Sequence, residues 1–86
     1  MSYTVYVRRL AELDAAEAQD WYESKSTGLG AGFNNEIDRA LSRLEHTPLT
    51  CQKVYGEVRR AVLRRFPYLL WYRVEGETVI VLACTH

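Results

Sequence analysis

The sequence has 86 residues, 48% of them hydrophobic and 26% charged, with eleven Lys/Arg balanced by eleven Asp/Glu. That is one domain, 1–86, which buries only roughly two thirds of the surface its unfolded chain exposes; a disordered segment would be poorer in Leu, Val and Tyr. No apolar run approaches the roughly 20 residues of a membrane helix, and the start MSYTVYVRRL lacks a long apolar segment with a small-residue cleavage site, so the chain is read as cytoplasmic with no membrane partner.

Cys51 and Cys84 form no metal-ligand spacing, and there are only two histidines, so neither a metal nor another cofactor is expected. In a cytosolic chain the two thiols are read as free. The neutral total hides an asymmetry: residues 1–48 carry five Lys/Arg against eight Asp/Glu, a balance of −3, and residues 49–86 carry six against three, a balance of +3. One acidic and one basic surface follow, and both are ordinary solvated faces unless a motif says otherwise.

In chain order, Tyr3 to Arg8 is rich in β-branched and aromatic residues and reads as a strand. Ala11 to Ser24 is built of good helix formers, with Ala11, Ala15, Ala18 and Tyr22 on one stripe and five acids on the other faces. Ser26-Thr27-Gly28 interrupts. A second helix is predicted from about Leu29 to His46, where Leu29, Phe33, Ile37, Leu41 and Leu44 step by four, four, four and three. Pro48 disfavours helix at Thr47 and ends it. Two amphipathic helices with a short break predict a helical hairpin.

The remainder is β. Glu57 to Arg65 alternates weakly, whereas Tyr68 to Glu75 and Thr78 to Cys84 are strongly strand-like, with Gly76 supplying the turn between them. Pro67 belongs at a strand start, an edge or a bulge. The run TVIVLAC is apolar almost throughout, which predicts a central strand covered on both faces. The order β-α-α-β-β-β predicts an α+β domain, a helical hairpin on one face of an antiparallel sheet that the first strand joins.

For chemistry, GLGAG (Gly28 to Gly32) resembles a phosphate loop but follows a helix and lacks the Lys-Ser/Thr that such a loop needs, so it reads as a helix–helix turn. Cys84 and His86 can share a strand face, although a Cys in an apolar strand is more often a small buried residue than a nucleophile. The strongest lead is RRAVLRRFPYLLWYR, Arg59 to Arg73. On an extended chain Arg59 and Arg65 share one face and Arg60 and Arg64 the other. Arginine forks suit phosphate or carboxylate, and Tyr68, Trp71 and Tyr72 could stack bases. Equally, the rings could fill the core while the arginines are solvated strand ends. His86 could move a proton near neutral pH, or be a solvated terminus.

The ordered set DWYE (Asp20 to Glu23), GLGAGF (Gly28 to Phe33), HTP (His46 to Pro48) and VRRAVLRRFPYLLWYRVEGETVIVLACTH resembles the RelE/ParE superfamily of type II toxins, most of all its ParE-like, plasmid-stabilisation branch. The resemblance spans nearly the whole chain from Ala11. It implies a small toxin wrapped by a cognate antitoxin, with operator DNA bound only through that antitoxin. ParE-like members inhibit DNA gyrase without a known hydrolytic reaction; RelE-like members cut mRNA on the ribosome. Arg59, Tyr72 and His86 match the family's arginine before FPY, the tyrosine after it and the histidine closing the last strand. The implied target-binding set is Arg59, Arg60, Arg64, Arg65, Tyr72 and His86; in a ribonuclease, Arg59 and Arg65 would clamp phosphate and Tyr72 or His86 would transfer the proton. No lysine follows Lys53, unlike the Lys-rich RelE-type site, which favours a gyrase inhibitor over an enzyme. Members usually continue past the histidine with a short basic tail, whereas this chain ends at His86. The alternatives are therefore an mRNA endonuclease and a non-toxic antitoxin-binding, autoregulatory module.

Overall fold

In a computed structural model describing residues 2–86, strand β1 (Thr4–Val7) leads into helices α1 (Arg9–Lys25) and α2 (Leu29–His46), then strands β2 (Lys53–Tyr55), β3 (Val58–Val62), β4 (Leu69–Glu75) and β5 (Thr78–Thr85). The five strands form one sheet in the order β1-β5-β4-β3-β2. The helical hairpin lies across one face. The second helix has the bounds its four-residue stepping predicts, and Phe33, Ile37 and Leu44 of that stripe are buried.

The sheet is mixed rather than wholly antiparallel. β2·β3, β3·β4 and β4·β5 run antiparallel, while β1 and β5 are parallel. The cause is β2, three exposed residues with no alternation to announce them. Each hairpin reverses the chain, so a β-α-α-β-β-β chain would bring the last strand back antiparallel to the first. One more strand adds one more reversal, and β5 returns parallel to β1.

α1 and α2 are held close by glycine and glutamate. Gly28, at φ +89°, takes the left-handed turn that opens α2, a conformation costing other residues roughly 1–2 kcal/mol. A Cβ on Gly30 would lie 2.8 Å from the Gln19 carbonyl oxygen of α1. The Glu23 carboxylate accepts the N–H groups of Gly28 (3.0 and 3.1 Å) and Gly30 (3.0 Å). The anion at this helix start is thus the chain's own side chain, which favours its N-terminal dipole, and GLGAG is a helix–helix turn.

The hairpin is fastened to the sheet by aromatic rings. Phe33 is fully buried, stacks on Tyr22 at 5.3 Å, and meets Phe66 and Tyr68 edge-on at 5.3 and 5.2 Å. Phe66 and Tyr68 belong to the 63–68 turn around Pro67, where the Leu63 N–H donates to the Tyr68 carbonyl. β3 therefore stops at Val62, short of the weakly alternating stretch to Arg65.

β5 is internal, as its apolar run predicts, with β1 and β4 on its two sides. It is covered on only one face: Val79 and Val81 are buried against the helices, while Ile80 and Leu82 remain partly exposed on the open face. Trp71 pairs with Ala83 and Tyr72 with Val81, leaving Leu82 as an extra residue. This bulge shifts the alternation by one, so that Cys84 rather than Ala83 faces the core.

Candidate functional site

The six residues of the predicted target-binding set do not form one patch. Arg59 and Tyr72 are cross-strand partners on the inward face of β3 and β4. The Arg59 guanidinium donates from Nη1 to the carbonyls of Cys51 (2.6 Å) and Leu49 (3.2 Å). The fully buried Tyr72 hydroxyl donates to the Pro48 carbonyl at 2.6 Å. Together they tie down residues 48–51, the link from α2 to β2. Arg59 thus turns inward on its loop, where a strand-end position suggested an outward-facing side chain. Three carbonyls in that loop lack ladder partners, and these two residues supply the donors.

Burial, with the neighbouring Cys51 second, raises the Tyr72 phenol far above its usual value of 10.0. A phenol so placed stays neutral, with its proton committed to the Pro48 carbonyl.

The other four residues are exposed. Arg60 lies on the open sheet face, its guanidinium 5.9 Å from the centre of the Trp71 ring. Arg64 and Arg65 sit on the 63–68 turn, with Arg65 over Phe66 at 5.7 Å. Val62 pairs with Leu69 and Leu69 with Thr85, so this turn and His86 occupy the same end of the sheet. The geometry therefore brings Arg64, Arg65 and His86 to one end, leaves Arg60 on the face, and takes Arg59 and Tyr72 inside.

His86 meets the Tyr68 ring edge-on at 5.4 Å and lines a cleft of about 650 Å³ between α1 and the end of β5. The bulge at Leu82 puts it there, because it turns Cys84 and hence His86 toward the helices. Asp14 and Glu17 from α1 line the opposite wall. The Asp14 carboxylate accepts the Cys84 backbone N–H at 3.0 Å. The acids of α1 suggest either a solvated face or partners for the arginines of the sheet; among the described residues no such ion pair forms, and nothing local marks Asp14 and Glu17 as cleft residues.

Cys84 is 4% exposed. Burial, with the Asp14 carboxylate second, pushes its thiol up to about 11 from the usual 9.0. It is a core residue rather than a nucleophile. As pH rises past 9 the unfolded chain loses this proton while the folded chain keeps it, so folding stability falls between pH 9 and 11. The raised phenol of Tyr72 adds the same sign above pH 10. Urea unfolding followed across this range is expected to show a progressively lower midpoint, with Cys84→Ala flattening the first part of the decline.

From residue 5 to residue 86 the sequence matches the family described as the ParE toxin of the type II toxin–antitoxin system, parDE. No match is found among curated proteins. Among solved structures, the chain is similar to a chromosomal ParDE toxin–antitoxin system from P. aeruginosa, with TM-score 0.84 and 19% identity over 99% of this chain and 96% of that one. It is also similar to the toxin–antitoxin complex RelBE2 from Mycobacterium tuberculosis, with TM-score 0.70 and 22% identity over 100% and 99%. At such identities the structural likeness speaks for the fold, and the match across residues 5–86 speaks for the family. The chain belongs to the ParE toxin family of type II toxin–antitoxin systems.

Proposed function

We propose that this ParE-family toxin is neutralised by a cognate antitoxin protein and, when free in the cytoplasm, acts by binding DNA gyrase rather than by cutting RNA. An antitoxin partner is supported by the two structural relatives, both described as toxin–antitoxin systems. The observation that carries the choice of target is the inward commitment of Arg59 and Tyr72 to the 48–51 carbonyls. A ribonuclease of the RelE type would need the first to hold the scissile phosphate and the second to move a proton. The exposed Arg64, Arg65 and His86 at one end of the sheet, with Arg60 apart from them on its open face, remain free for contact, which suits binding without chemistry.

A second reading, an mRNA endonuclease, draws on His86 standing near Asp14 and Glu17 in one cleft, a possible acid–base set. Purified protein assayed with gyrase, and transcript ends mapped after induction in a bacterial host, separate the two. Inhibited supercoiling and an SOS response with intact transcripts are expected. Cleavage at ribosomal positions with normal supercoiling would reverse the choice, and normal growth with neither effect would leave an antitoxin-binding module.

A further inference from the structure

The cleft between α1 and the end of β5 has a chemistry of its own. Along α1, Asp14, Glu17 and Trp21 follow one another at helical spacing, so two carboxylates and an indole line one wall. The Tyr68 ring faces them from the sheet side, with the Tyr22 ring beneath, 5.9 Å from it. Trp21 is 53% exposed, more than a ring of its size normally leaves in water. It already holds one cation of its own chain, the Lys25 ammonium, at 5.0 Å. Yet no Lys or Arg lines the cleft, and among the described residues neither Asp14 nor Glu17 forms an ion pair. Among the described residues the negative wall therefore has no Lys or Arg counter-charge, and His86 is the one ionisable base in the lining.

We infer that this cleft receives an arginine side chain from a segment of a partner protein, its guanidinium held by Asp14 and Glu17 and flanked by Trp21 and Tyr68. Charge complementarity selects a cation. The pairing of carboxylates with ring faces selects guanidinium over ammonium, since the planar fork bonds carboxylates and stacks on rings at once. A cleft of about 650 Å³ is larger than one guanidinium, so it has room for the arginine stem and an adjoining residue. The assignment is independent of whether the toxin's target is gyrase or RNA.

The test is an NMR titration of the ¹⁵N-labelled chain with Nα-acetyl-arginine amide, using the citrulline amide as its neutral isostere and the lysine amide as a second cation. The arginine probe is expected to shift the Trp21 indole N–H and the Cys84 and Thr85 amides together, and to bind roughly tenfold more tightly than citrulline. The lysine probe is expected to bind more weakly than arginine. Glu17→Gln, at an exposed helix position, is expected to leave the spectrum folded and weaken arginine binding severalfold. Equal binding of citrulline, binding of lysine as tight as arginine, shifts confined to other surfaces, or an unchanged affinity in Glu17→Gln would each overturn the assignment.

Discussion

Phe33→Ala is expected to lower the stability of the domain by about 3–5 kcal/mol. The ring is fully buried, and three other rings (Tyr22, Phe66 and Tyr68) lie within 5.3 Å of its centre. Removing it opens a cavity that the hairpin cannot collapse into, because Gly30 already holds α2 against α1. A chain of this length has a total stability of roughly 4–13 kcal/mol, so the loss is a large share of what holds it folded. Equilibrium urea unfolding is the measurement. Phe33→Leu, which keeps apolar volume in the site, is expected to lose clearly less. A loss below about 1 kcal/mol for Phe33→Ala, the level of an average substitution, would mean that the ring cluster does not join helices to sheet.

The second large effect concerns Arg59. Arg59→Ala removes a charged donor from the Cys51 and Leu49 carbonyls and is expected to cost about 1.5–3 kcal/mol. For a domain of this size that is roughly a 6–24 °C fall in Tm. Amide exchange should quicken around residues 48–53, since Tyr72 alone would then hold the loop. Arg60→Ala and Arg64→Ala, on exposed side chains, are expected to stay within about 0.5 kcal/mol of the parent. The comparison separates two ways in which an arginine can matter. If Arg59→Ala loses toxicity together with stability, its role is positional; if Arg60→Ala or Arg64→Ala loses toxicity at full stability, those side chains meet the target. An Arg59→Ala protein that melts like the parent would remove the loop-holding role.

These two cases also mark how far the sequence reaches. Phe33 stands in a four-residue stepping that needs no partner to be recognised, because a helix presents every third or fourth residue to the same side whatever it packs on. The ends of the second helix, the hairpin break at Gly28 and the turn at Gly76 are likewise legible in the residues themselves, and so are the family and its α+β layers, whereas the first helix runs from Arg9 to Lys25, beyond the predicted Ala11 to Ser24 at both ends. β2 is not. Three residues carry no measurable period, and missing them changes the sense in which β5 meets β1.

The arginines show the other limit. Alternation along β3 requires Arg59 and Arg60 to point opposite ways, and the sequence determines that much. It does not say which of them goes in. That choice falls to the carbonyls of Leu49 and Cys51, which lie outside β3 and have no ladder partner of their own. His86 is governed in the same way: one extra residue at Leu82 re-aims the end of β5 toward Asp14 and Glu17. Period and composition act within a segment and determined the elements. The faces that Arg59 and Tyr72 take depend on which distant polar groups need a partner, and that of His86 on a bulge set by strand pairing; only the tertiary structure brings those partners within reach.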